Sequence, residues 1–233
     1  MTLLKSDMKL DRKLAVAKLA SGAVGIWGLL SLIGLLIQHV LVYGSIGMWD
    51  RHVEIWFVAR RSSSLNTITS YANNLGSTRA VIAIVIVLFV TLRWRLGRWR
   101  ESWVMLIVMV GEVSIFVTVA LTVHRLRPDV PRLDKSPPTS SFPSGHTAAA
   151  LALYGGVAVM VICIYGRSGG TSAIAVILFA IPVLVGTSRL YRGMHYPTDV
   201  LAGAVGGGLW MTLVIYTLYP KNLRYTSVKV PSM

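Results

Sequence analysis

The chain has 233 residues, of which 54% are hydrophobic and only 14% charged, and its mean hydropathy is +0.64. So little charge excludes an ordinary soluble domain and points to an integral membrane protein folded as one helical bundle. The formal charge of +14 would suit nucleic acid, but the basic residues stand in short clusters between apolar runs, as membrane-flanking loops do, and no nucleic-acid partner is expected.

Residues 1–20 carry Lys5, Lys9, Arg12, Lys13 and Lys18 and read as a basic cytoplasmic segment. The first span covers residues 21–43, close to the ~20 residues that a bilayer requires. No small-residue cleavage pattern follows it, so a retained helix is expected and not a signal peptide. Residues 44–78 are too polar to cross. Within them Trp49, Val53, Trp56 and Phe57 fall at helical spacing while Asp50, Arg51 and Glu54 face elsewhere, which predicts an amphipathic helix lying in the membrane interface. Packing on the bundle as a plug is the alternative.

A short second span is predicted between Arg79 and Arg93, followed by a hairpin in which Arg93, Arg95, Arg98 and Arg100 alternate with Trp94 and Trp99, a membrane anchor by composition. The third span, residues 102–123, carries Glu112 near its middle, where an acid is costly and is expected to be hydrogen-bonded, paired with an arginine, or functional. The loop 124–143 is stiffened by Pro128, Pro131, Pro137, Pro138 and Pro143. A fourth span over 147–165, a glycine-rich turn at 166–170 and a fifth span over 172–191, with a kink at Pro182, come next. The sixth span opens at Pro197, a residue suited to a first helical turn, and runs to 219. Its Gly203-x-x-x-Gly207 pair, with Gly206 and Gly208, predicts close packing on a neighbouring helix. Cys163, the single cysteine, lies in an apolar run and permits neither a disulfide framework nor a cysteine metal site.

The expected fold is thus all-α: six transmembrane helices over residues 21–219, an interfacial helix between the first two, and a cytoplasmic tail over 220–233 with Lys221, Arg224 and Lys229. With both termini in the cytoplasm, thirteen Lys and Arg lie inside and ten outside. Loops 124–146 and 189–199 then emerge together on the outer face. His39 and His52 are expected to be uninvolved, Asp129 and Asp134 to be solvated loop charges, and Tyr191, Tyr196 and Trp210 to pack or to sit at headgroup level.

Those two loops carry the chemistry. In Ser140-Ser141-Phe142-Pro143-Ser144-Gly145-His146, Ser144 reads as a helix N-cap, Gly145 leaves the first-turn amides open to an anion, and His146 stands ready as a proton donor. In the second loop His195 and Asp199 are four apart. A carboxylate on one imidazole nitrogen fixes the tautomer and frees the other nitrogen to attack. Arg127 and Arg189 bring permanent charge suited to phosphoryl oxygens. A two-step reaction follows, in which His195 attacks phosphorus, His146 protonates the leaving oxygen, and water activated by His146 releases phosphate. Ligation of a metal by His146, His195 and Asp199 is disfavoured by the surrounding arginines, and no metal or other cofactor is expected.

Arg127-Pro128, then Pro-Ser-Gly-His at 143–146, then Ser188-Arg189 with His195 and Asp199, resemble the three signature motifs of the type 2 phosphatidic acid phosphatase superfamily, over roughly residues 20–220. The resemblance implies a metal-independent membrane lipid phosphatase. His195 would be the nucleophile, His146 the acid and Asp199 the orienting carboxylate, with Arg127, Ser144, Gly145 and Arg189 on the phosphate. The family lysine seven residues before the Arg-Pro arginine is Ala120 here, and His124, Arg125 or Arg192 are the candidates to replace it. By analogy the substrate is a polyprenyl (undecaprenyl or decaprenyl) diphosphate at the outer face of the plasma membrane. Phosphatidylglycerophosphate, phosphatidic acid, phosphotransfer to another hydroxyl, and a non-catalytic lipid binder or transporter are the alternatives. The oligomeric state is left open.

Overall fold

The computed structural model describes residues 12–135 and 139–219. Lys5, Lys9, Pro137, Pro138 and the tail over 220–233 lie outside the described residues. The described residues form helices joined by loops: α1 (Arg12–His39), α2 (Ser45–Val58), α3 (Ser63–Leu75), α4 (Thr78–Arg95), α5 (Trp99–Thr122), α6 (Gly145–Tyr165), α7 (Gly169–Tyr191) and α8 (Pro197–Leu218). Helix α6 widens to a π-turn at Leu151–Gly155, and α4 ends in another at Thr91–Arg95.

Five of these helices are long and apolar enough to cross a membrane, and α3 with α4, bent by 47° at their junction, makes a sixth if the pair counts as one. The expected second span thus has a polar forward extension. Asn66, Thr67, Thr69, Ser70, Asn73 and Asn74 keep α3 from reading as apolar. Ser62 caps α3 by accepting from the Leu65 amide (3.3 Å), and Ser77 starts α4 in the same way.

Helix α8 is the centre of the bundle and packs on α1, α5 and α6. Apolar contact with lipid gives little net drive for helix association, so close backbone approach must supply it. The glycine pair does so: a side chain at Gly203 would strike the Ser144 carbonyl, and one at Gly207 would come 2.6 Å from the Ala148 carbonyl. Gly206 faces Leu30 of α1. The start of α6 is therefore seated against the α8 backbone. Gly203→Ala is expected to cost on the order of 1–3 kcal/mol by overpacking, read as a lowered Tm in detergent. Trp210 is buried and donates Nε1 to the Val108 carbonyl (2.9 Å), so its packing role holds.

At the end remote from loop 124–143, Arg93 stacks on Trp99, Arg98 pairs with Glu101 (3.1 Å) and Arg100 donates to the Leu218 carbonyl. Glu112 is buried on α5, and its Oε1 has no hydrogen-bond partner among the described residues. The pairing anticipated for it is not found there.

Candidate active site

The polar loops meet at one end of the bundle. The Ser144 amide donates to the Asp199 carbonyl (2.9 Å), and the Ala148 amide bonds back to the Ser144 carbonyl (3.0 Å), which starts α6. Ser144 occupies the N-cap position, but its hydroxyl meets the Thr147 hydroxyl (3.0 Å) and makes no capping bond to the first-turn amides. Gly145 is forced by crowding: a Cβ there would lie 2.8 Å from the Phe116 ring. The α3–α4 bend rests on the next residue, since a Cβ on Gly76 would sit 3.0 Å from the His146 carbonyl. The imidazole of His146 is within electrostatic range of Arg189, His195, Asp134 and Arg127.

His195 is buried, with Nδ1 2.7 Å from the Ser141 carbonyl. A carbonyl only accepts, so Nδ1 carries the proton and Nε2 keeps its lone pair. Nε2 faces Arg127 Nη1 at 3.4 Å. Burial pushes His195 down to about 4, against the opposing pull of Asp199 and with the help of Arg189 and Arg127, so the ring is neutral near pH 7.

Asp199 reaches His195 less directly than expected. Its Oδ2 lies 3.8 Å from His195 Nδ1, too long for a hydrogen bond though near enough for its charge to be felt. Instead Oδ2 accepts from the Ser141 hydroxyl (2.5 Å) and the Tyr196 amide (2.9 Å), and Oδ1 accepts from Arg125 (2.5 Å). Asp199 therefore sets the position of Ser141, whose carbonyl sets the tautomer of His195.

Asp50 completes the network from α2. Fully buried, it accepts from Arg125 Nη2 (2.7 Å), from the Thr198 hydroxyl (2.7 Å) and from the Thr198 amide (3.1 Å). Burial works against the Arg125 charge, but Asp199 and Asp50 outweigh it and hold the guanidinium above its ordinary range. Arg125 also lies over the Tyr196 ring, 4.2 Å from its centre. Glu54, one turn beyond Asp50, is pushed up to about 8 by burial and by the nearby Asp199 and Asp50 charges. Of the polar residues that sequence spacing set apart from the apolar stripe of α2, Asp50 and Glu54 are thus buried and Arg51 is exposed, while Trp49, Ile55 and Trp56 point outward. The signal was available in Asp50 itself, an acid in a tryptophan-rich helix beside a membrane.

The cations divide into two sets. Arg192 is fully committed: Nε and Nη2 bind the Asp134 carboxylate (2.7 and 2.6 Å), Nη2 also meets the Leu133 carbonyl, and Nη1 meets Asn66 and Thr69 on α3. Burial tends to raise Asp134, but Arg192 outweighs it and holds the carboxyl below its usual range, so Asp134 is no solvated loop charge. Arg125 is committed to Asp50 and Asp199. By contrast, Nε of Arg127 and Nε of Arg189 are buried with no partner among the described residues. Arg127 is held by the Met194 carbonyl (2.8 Å), and Arg189 by Asn73 (2.5 Å) with a longer contact to Asp134 (3.4 Å). His124 is exposed. Of the three candidates to replace the missing lysine, two are bound to carboxylates and the third lies on the surface.

Opposite Gly193, whose φ of +69° makes the turn before His195, Arg61 of the α2–α3 turn donates to the Tyr191 and Pro131 carbonyls (3.1 and 2.6 Å). It braces the second loop against the first. Tyr191 joins this brace by donating to Asn66 Oδ1 (2.9 Å).

The family model described as PAP2 superfamily matches residues 102–223. Phosphatidylglycerophosphatase B of Bacillus subtilis is 29% identical over 159 residues, which span 66% of this chain and 75% of that protein. The bacitracin transport permease protein BcrC of Bacillus licheniformis is 34% identical over 90 residues, 39% of each chain. Among solved structures, a transmembrane PAP2 type phosphatidylglycerolphosphate phosphatase from Bacillus subtilis superposes with a TM-score of 0.72 at 25% identity, covering 82% of this chain and 93% of that one. Aquifex aeolicus LpxE gives a TM-score of 0.56 at 25% identity over 72% and 93%.

Proposed function

The chain belongs to the PAP2 superfamily, and on that premise we propose that it hydrolyses a phosphomonoester of a membrane lipid through a phosphohistidine. His195 Nε2 attacks phosphorus in line; the N–P bond forms, the P–O bond to the lipid breaks, and His146 gives its proton to the departing alkoxide. His146, now a base, takes a proton from water as that water attacks phosphorus, and the N–P bond breaks to release inorganic phosphate. Arg127 and Arg189, with the Ser144 hydroxyl and the Gly145 and His146 amides, hold the equatorial oxygens. Guanidinium groups supply the charge that a metal would otherwise bring, so turnover is expected to survive chelator.

One observation carries the choice of substrate. The two arginines whose charge both histidines feel, Arg127 and Arg189, keep buried Nε–H groups without partners among the described residues, while Arg125 and Arg192 are neutralised by carboxylates and Ala120 replaces the lysine. Such a site matches one phosphoryl group. It favours a terminal phosphomonoester, as in phosphatidylglycerophosphate, over the polyprenyl diphosphate expected by analogy, and the activity for which the Bacillus subtilis relative is named points the same way. Phosphate release from both lipids and phosphatidic acid, side by side in detergent with chelator present, tests this. A strong preference for the diphosphate would overturn the monoester reading.

In this proposal α1, the α3–α4 pair, α5, α6, α7 and α8 are six spans of the plasma membrane. Both termini are cytoplasmic, the site faces outward, and α2 lies in the interface with its tryptophans toward lipid. The low affinity of His195 for protons sets the acid limb of kcat/KM. Because the neutral ring is the attacking form, the acid limb is expected to fall through about 4. A limb near the ordinary histidine value of roughly 6.5 would remove His195 from the attacking role.

A further inference from the structure

Beside the paired cations, α3 and loop 124–143 enclose a groove of about 460 Å³ lined by Asn66, Thr67, Ser70, Tyr71, Leu133 and Arg192. We propose that this groove seats the hydroxylated headgroup of the lipid, a glycerol-like moiety next to the phosphate that is removed. The inference rests on the phosphomonoester reading above and extends it to the part of the substrate that does not react.

Two observations support the assignment. The first is continuity with the site. Asn66, Ser70 and Asn73 fall at i, i+4 and i+7 on α3 and so share one helical face. Asn73 at one end binds Arg189 (2.5 Å), and Asp134 connects Arg189 (3.4 Å) to Arg192 (2.6 Å) in the groove. A phosphoryl group on Arg189 therefore has its next few atoms beside this face.

The second is charge. Every N–H of Arg192 is engaged by Asp134, Leu133, Asn66 or Thr69, so the groove offers no uncommitted cation. A phosphate lying in the groove itself, directly after the one on Arg189, would stand beside the Asp134 carboxylate, whose charge Arg192 already takes up. Hydroxyls suit the groove better, since amide, hydroxyl and phenol groups of Asn66, Thr67, Ser70 and Tyr71 both donate and accept. The buried end of the strip cannot shift readily, because Asn66 Oδ1 is held by the Tyr191 hydroxyl (2.9 Å).

The test measures wild type, Ser70→Leu and Thr67→Leu on phosphatidylglycerophosphate and on phosphatidic acid, whose phosphate carries no headgroup beyond it. The quantity read is the ratio of the two kcat/KM values. Filling the groove is expected to lower this ratio about tenfold, mainly through KM for phosphatidylglycerophosphate, as befits lost binding outside the reacting centre. Thr67 is exposed, so its variant gives a folded readout even where leucine at 70 disturbs α3. A ratio unchanged in Thr67→Leu, whatever happens to both absolute rates, would overturn the proposal. The wild-type arm, measured on the polyprenyl diphosphate as well, keeps the two ideas apart. If wild type prefers the diphosphate lipid, the monoester reading fails and the groove assignment with it; if wild type cleaves the monoester and the ratio does not move, the groove assignment fails alone.

Discussion

His195→Ala is expected to slow phosphate release at least about a thousandfold while leaving the fold and lipid binding nearly intact, because nucleophilic residues of a covalent mechanism have no substitute at the reacting atom. The lone pair on Nε2 is the one feature that the variant removes outright. Arg127 and Arg189 remain to bind the phosphate, so KM should move far less than kcat. His146→Ala gives a complementary result with p-nitrophenyl phosphate, whose leaving group needs no protonation. The first step then persists, while the water attack that needs a base is slowed. Radiolabelled phosphate should accumulate on the protein as an acid-labile, base-stable adduct, and should disappear when His195 is also replaced. Turnover by His195→Ala at near wild-type rate, or a label that survives in the double variant, would end the phosphohistidine mechanism.

Asp50→Asn is expected to lower kcat about a hundredfold with KM changed only a few-fold, although Asp50 touches neither histidine. Its Oδ2 accepts from both Arg125 Nη2 and the Thr198 hydroxyl, each at 2.7 Å. An amide nitrogen there would face two donors, and turning the amide only moves the mismatch to the Thr198 amide. Arg125 would lose one of its two carboxylates, and removing one partner from a buried pair costs on the order of 3–5 kcal/mol locally. The displacement passes through Asp199 to Ser141, whose carbonyl orients the imidazole. A shift of about 1 Å at a nucleophile is enough for a loss of roughly a hundredfold. Glu54→Gln is the control: Glu54 is pushed up to about 8 and so is neutral near pH 7, and its isosteric amide should leave the rate within roughly twofold. Equal damage from both variants would mean that α2 acts through bulk packing alone, and Asp50 would lose its positioning role.

Most of the bundle was legible because long apolar runs have few other uses. The runs that became α1, α5, α6, α7 and α8 were each placed to within a few residues, apart from the forward start of α1 at Arg12. Helix α3 was not placed, since its polar residues face Arg189, Arg192 and Tyr191 and so dilute the hydropathy of the span they extend. The motifs pointed to Arg127 and Arg189 for a phosphate, but the commitment of Arg125 and Arg192 to carboxylates became visible only in three dimensions. Five arginines of equal charge stand in the two loops, and charge alone does not distinguish the pair bound to Asp50, Asp199 and Asp134 from the pair with buried Nε groups unpartnered among the described residues.

By itself the chain determined its membrane character, its helical runs, a close helix contact at Gly203 and Gly207, and the two loops that carry its candidate histidines and arginines. These are properties of composition and short-range spacing, which a linear text carries in full. Tertiary structure decided that Ser141 stands between Asp199 and His195, that Asp50 reaches the same network from α2, and which arginines remain open to an anion. Each of those depends on a partner more than fifty positions away, and a charge declares its role only when the group that neutralises it, or fails to, is brought alongside.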